Sequence, residues 1–127
     1  MELAEKQAKL EQIADSIINR KIDIEIAKTC TNPVPGEGNP DAEILFIGEA
    51  PGAQEDKQGR PFIGASGKFL DEMLNSIGLK RKDVFVTNIV KFRPPNNRDP
   101  RPDEINACLP VLLEQISIIK PKLVVFL

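Results

Sequence analysis

Apolar residues recur at helical spacing over residues 2 to about 20. Leu3, Leu10, Ile13, Ala14, Ile17 and Ile18 fall between lysines and glutamates, which predicts an amphipathic helix. The stretch CTNPVPGEGNPDA (30–42) is rich in proline, glycine and asparagine and reads as loop. EILFIG (43–48) is a short unbroken apolar run, as expected of a strand covered on both faces. A GEAPG loop follows, and from about Ser66 the residues Phe69, Leu70, Met73, Leu74 and Ile77 predict a second amphipathic helix ending near Gly78.

The pattern then repeats. DVFVTNIV (83–90) predicts a second buried strand, and the prolines of KFRPPNNRDPRPDE (91–104) forbid a regular ladder there. Pro102, Asp103 and Glu104 suit the positive N-terminal end of a helix that carries Ile105, Cys108, Leu109, Leu112, Leu113 and Ile116 on one side. KPKLVVFL (120–127) predicts a third buried strand. The order α, then β-α-β-α-β, predicts a three-layer α/β/α sandwich around a parallel sheet with right-handed crossovers.

On this reading the chain is one domain: an N-terminal helix over 1–22, a loop over 23–42 and an α/β core over 43–127. The sheet stops after its third strand. An apolar last strand, Leu123–Leu127, leaves an open edge, so a second copy or a partner protein is expected along it.

Composition narrows the chemistry. The 127 residues contain no histidine, which excludes histidine-based acid–base catalysis, Ser–His–Asp and Cys–His nucleophile systems and His-ligated zinc within this stretch. Catalysis must run on carboxylates, amides, lysine and backbone groups. Two widely spaced cysteines, Cys30 and Cys108, read as reduced thiols of a cytoplasmic protein. No apolar run approaches the roughly 20 residues of a membrane span, and the charged N-terminus lacks a secretory core.

The formal net charge is −2, yet seven basic residues against two acidic ones give the stretch from Ser76 to Arg101 a local charge of +5. Lys91, Arg93, Arg98 and Arg101 in this stretch are expected to meet DNA phosphates, with a solvated charged face as the ordinary alternative.

Ligands of open α/β sheets bind beyond the carboxyl ends of the strands, where both informative loops lie. A phosphate loop needs G-x-x-x-x-G-K-[ST]; around Gly67-Lys68 the first glycine is Phe62 and the hydroxyl residue is Phe69. No G-x-G-x-x-G follows the first strand either. A pocket for a nucleobase needs a flat apolar face and a side-chain amide. Phe62 offers the face. Asn88 offers a donor and an acceptor, the match for the imide edge of uracil. The ordinary alternatives are a core phenylalanine and a turn-forming asparagine.

TNPVPGEGNPDAEILFI, GEAPGAQEDKQGRPFIGASGKFLDEML and VFVTNIVKFRPPNNRDPRPDEINAC, from about Thr31 to the end of the chain, closely resemble the iron–sulfur (family 4) uracil-DNA glycosylases of thermophiles and archaea. The resemblance implies the α/β/α fold of that superfamily and hydrolysis of the N-glycosidic bond of deoxyuridine in uracil-containing DNA, single strands included. It implies that Gly48, Glu49 and Ala50 form the uracil and water side of the pocket, with Glu55 an acidic position beside it. Phe62 would stack on the flipped base and Asn88 would read uracil. Ala50 stands where other families of the superfamily place a catalytic aspartate, which leaves the water to Glu49 or to backbone carbonyls.

Two departures accompany the resemblance. The family holds a [4Fe–4S] cluster on four cysteines, but three of the matching positions are Ile24, Ala27 and Phe92, leaving Cys108 alone. Cys30 stands where an arginine is usual. No cofactor is therefore expected, and the apolar replacements suggest a site refilled as core. The family's histidine-containing motif, which follows a fourth strand, is also absent from these residues. The alternative to an enzyme is a cluster-free homologue that binds DNA or protein without catalysis.

Overall fold

The structure, a computed structural model, describes residues 1–127. At the centre of its sheet lie two strands whose sequences are apolar on both faces, β2 (Ile44–Gly48) and β3 (Phe85–Asn88). They pair in parallel from Leu45↔Phe85 to Gly48↔Asn88. β4 (Leu123–Phe126) joins the other side of β2, also in parallel, and the two-residue β1 (Glu37–Gly38) runs antiparallel beside β3. The order is β1-β3-β2-β4. The sheet is therefore mixed rather than wholly parallel, because the loop before β2 doubles back along β3.

Side-chain alternation sends successive residues of each strand to opposite layers. Leu45, Ile47 and Phe85 join Leu10, Ile13 and Ile17 of α1 (Leu3–Ile18) and Cys108, Leu112 and Ile119 of α5 (Pro102–Ile119) in the larger core. Phe46, Val84 and Val86 meet Phe62 and Leu70 and Leu74 of α4 (Ala65–Ser76) on the other side. This is an α/β/α sandwich, as the hydrophobic pattern predicts.

Three expectations change. Residues 23–42 are not all loop: they hold α2 (Glu25–Thr29) and β1, and Ile26, Ala27, Cys30 and Val34 are core. A six-residue helix, α3 (Ala53–Gln58), follows the GEAPG loop. β4 is the open edge expected of the last strand but is less buried than its apolar run predicts, with Leu123, Phe126 and Leu127 exposed and only Val124 and Val125 packed inward. Several residues assigned to apolar helix faces also lie in solvent: Leu3, Ile18, Phe69, Ile77, Leu109 and Leu113. In α4 the buried stripe is Gly67, Leu70 and Leu74, and Phe69 falls beside it.

Arg20 closes the turn after α2. Its guanidinium donates to the carbonyls of Ala27, Cys30 and Thr31 at 2.8, 3.0 and 2.9 Å, and lies 3.4 Å from the Cys30 sulfur. No helix is long and apolar enough to cross a membrane.

Candidate active site

The carboxyl ends of β2 and β3 are zipped together beyond the last strand pair: Ile89 donates its N–H to the Gly48 carbonyl and Val90 to the Glu49 carbonyl, at 2.9 and 3.0 Å. Over this junction opens a cleft of about 200 Å³ lined by Gly48, Glu49, Ala50, Glu55, Phe62, Ser66, Asn88 and Leu127. All six pocket residues named from the sequence line it, although they come from two strand ends, a helix and two loops. A larger groove of about 460 Å³ between α1 and α5 lies away from the strand ends; position beyond the strands marks the smaller cleft as the site.

Asn88 is buried, and its carboxamide has no hydrogen-bond partner in the protein, unlike the other buried side chains of β3 and α5. Its remaining exposure is to the cleft. Gly48 sits between this amide and the Phe62 ring. A Cβ at residue 48 would lie 2.5 Å from Asn88 Oδ1 and 2.8 Å from Phe62 Cζ, so only glycine leaves the space between them open.

Phe62 is both core and cleft wall, packing with Phe46, Leu70 and Val86. Its φ of 53° is a left-handed conformation that costs a phenylalanine on the order of 1–3 kcal/mol. Arg81 holds it there. That guanidinium donates to the carbonyls of Pro61, Phe62 and Gly67 and pairs with Asp71 at 2.7 Å. Sequence reasoning placed Arg81 only within the basic stretch, since nothing local signals a clamp on a loop twenty residues away. Ser66 and Leu127 were missed as well.

Glu49 is exposed at the rim, and its carboxylate has no partner. Glu55 differs. Its Oε1 accepts from the Gly52 N–H at 2.9 Å, and Oε2 from Ile63 and Gly64 at 3.0 and 2.9 Å. Burial alone would raise its pKa, but these backbone donors outweigh that and hold the carboxyl below its ordinary value. Glu55 fastens the GEAPG loop and the Phe62 loop to α3. Its carboxylate oxygens are engaged by these backbone donors, at the acidic position expected beside the pocket.

The basic stretch is not a uniform patch. Lys91, expected to meet phosphate, is wholly buried, and its Nζ donates to Thr87 Oγ1, the Asn88 carbonyl and Gln115 Oε1 at 2.6, 2.7 and 2.7 Å. Burial without a carboxylate, opposed only by the neighbouring Cys108, pushes its pKa down to about 7. Lys91 cannot touch DNA. Arg98 makes a two-pronged pair with Glu104 at 2.7 and 2.8 Å, Arg93 donates to Asn97, and Arg101 is exposed. The Arg98 pair holds the Glu104 carboxyl below its usual range. Burial raises the thiols of Cys30 and Cys108.

Ala27, Phe92 and Cys108 share one core cluster, with Ile24 packed against it. These four positions present one thiol and hydrocarbon. These residues do not fit an iron–sulfur cluster.

The profile of the uracil DNA glycosylase superfamily matches residues 35–127. The chain is 57% identical over 119 residues to the type-4 uracil-DNA glycosylase of Sulfurisphaera tokodaii, covering 93% of this chain and 54% of that protein. Against the type-4 enzyme of Archaeoglobus fulgidus it is 54% identical over 119 residues, 93% of this chain and 59% of the other. Against that of Saccharolobus solfataricus it is 60% identical over 97 residues, 76% and 45%. The chain thus spans about half the length of the curated relatives it matches. With the cleft, Asn88 and Phe62 all inside the matched region, the chain belongs to the uracil DNA glycosylase superfamily, in its type-4 branch.

Proposed function

We propose that the cleft receives a uracil from DNA and that the chain belongs to base-excision repair, hydrolysing the N-glycosidic bond of deoxyuridine. One observation carries this reading: a buried, unpartnered carboxamide, Asn88, faces an aromatic ring, Phe62, across a glycine that keeps the space between them open. The ring offers a stacking face. The amide offers the donor and acceptor that the imide edge of uracil requires. As the bond to C1′ breaks, uracil leaves as an anion, so donors aimed at its carbonyl oxygens lower the barrier. The Glu49 carboxylate, free at the rim, is the group assigned to the water that adds to C1′. Glu55 and Arg81 position the loops.

The second reading is a homologue that binds uracil-containing or single-stranded DNA with little turnover, supported by the local charge of +5 over the stretch from Ser76 to Arg101. Of the four basic residues expected at phosphate, Arg101 is exposed and Arg93 partly so, while Arg98 is held by Glu104. The hydrocarbon around Cys108 supports a chain without an iron–sulfur cluster. The exposed edge of β4 supports a further polypeptide, a second copy or a partner, along it.

Single-turnover excision from a uracil-containing single-stranded oligonucleotide, beside Asn88→Ala, tests the reading. Abasic-site formation that disappears in the variant is expected, from protein without stoichiometric iron. No product from either protein, with binding retained, would establish the second reading. Stoichiometric iron with visible absorbance would refute the cluster-free one.

A further inference from the structure

The cleft depends on a side chain that never reaches it. Asn88 has no side-chain partner, so the direction of its carboxamide is set by the backbone beneath it. Toward β2 that backbone is fixed by the Gly48↔Asn88 register and by the Ile89 N–H on the Gly48 carbonyl. On the other side β1 reaches only as far as Val86, so no strand covers Asn88 there. The place is taken by Lys91 Nζ, 2.7 Å from the Asn88 carbonyl.

The lysine is held in turn. As an ammonium it has three N–H donors, and three acceptors meet it: the Asn88 carbonyl, Thr87 Oγ1 and Gln115 Oε1. Thr87 and Gln115 both donate onward to the Pro35 carbonyl, at 3.0 and 2.9 Å. Every member is buried. The network ties the end of β3 to α5 and to the loop before β1. A desolvated cation with no carboxylate is a costly way to hold a core together. Hydrocarbon would do that at less cost, but it would leave the Asn88 carbonyl only the Thr87 hydroxyl, 3.5 Å away and already given to Pro35 at 3.0 Å.

We propose that Lys91 is a positioning residue for the base-reading amide: its buried ammonium pins the Asn88 carbonyl and so fixes the direction in which the Asn88 carboxamide enters the cleft. The use of that direction for uracil rests on the function proposed above; the pinning does not.

The test uses the Lys91→Met chain, which keeps the length of the stem and removes the donors, and Gln115→Met, which removes one ammonium acceptor and leaves the Lys91–Asn88 bond. Nitrogen-15 relaxation of the Asn88 side-chain amide is read at about pH 6. Lys91→Met is expected to loosen that amide while Gln115→Met lowers the melting temperature and leaves it ordered. An amide equally ordered in wild type and Lys91→Met overturns the proposal, as does one loosened equally by both variants. If Lys91→Met does not fold, the wild type decides: a through-hydrogen-bond coupling between Lys91 Nζ and the Asn88 carbonyl carbon is expected, and its absence overturns the proposal. Where wild type excises uracil, Lys91→Met should lower kcat by about ten-fold or more with KM little changed, as misplacement of a reacting group does; an unchanged kcat overturns it. A wild type that excises nothing defeats the functional reading alone, because the amide readout needs no substrate.

Discussion

At the scale of single residues, the cleft is governed by what is missing from Gly48. Its φ is not left-handed, so backbone freedom is not why glycine stands there; the nearness of Phe62 and Asn88 is. Gly48→Ala adds one methyl group to the space between ring and amide. The methyl group would press on the buried Phe62 ring, so the expected outcome is a cooperative but lowered melt, with excision down by on the order of 10²-fold. A variant that excises at the wild-type rate would show that uracil does not lie between Phe62 and Asn88. Phe62 and Asn88 were legible in the sequence because an aromatic in a Pro-Phe-Ile loop and an amide ending an apolar strand are conspicuous. Arg81 and Lys91 were not. Both read as surface charge, and only the fold shows one spent on loop carbonyls and the other sealed beneath β3.

At the scale of elements, the pattern located the three long strands and the three long helices, because those bury continuous runs or regular stripes. It missed α2, α3 and β1, each six residues or shorter and lacking any period of its own. α2 packs Ile26 and Ala27 into the core and β1 exists only because β3 offers it an edge; these are tertiary effects. β4 was recognised as a strand but assigned too much cover. Its outer edge offers unpaired backbone groups flanked by exposed Leu123, Phe126 and Leu127. Sedimentation at micromolar concentration is expected to show self-association that Phe126→Lys reduces. A clean monomer in both proteins would count against a second copy on this edge and leave the partner protein.

At the scale of the whole molecule, two cores flank one thin sheet, and the ionisable groups buried between them include an unpaired lysine. In the unfolded chain Lys91 titrates at its ordinary 10.5, and in the folded protein at about 7. Between those values the unfolded state holds a proton that the folded state lacks, so stability rises with pH through this window. Above about 9 the buried thiols of Cys30 and Cys108, raised from their ordinary 9.0, act in the opposite sense. The clean interval is therefore about pH 7 to 9. Each molecule that unfolds there takes up as much as one proton, and the buffer must supply it. Scanning calorimetry at about pH 8 should consequently return a larger apparent unfolding enthalpy in Tris, whose ionisation absorbs much heat, than in phosphate, whose ionisation absorbs little. Equal heats in the two buffers would mean that the lysine keeps its proton when folded, and that the three acceptors around it compensate for burial more fully than its isolation from any carboxylate suggests.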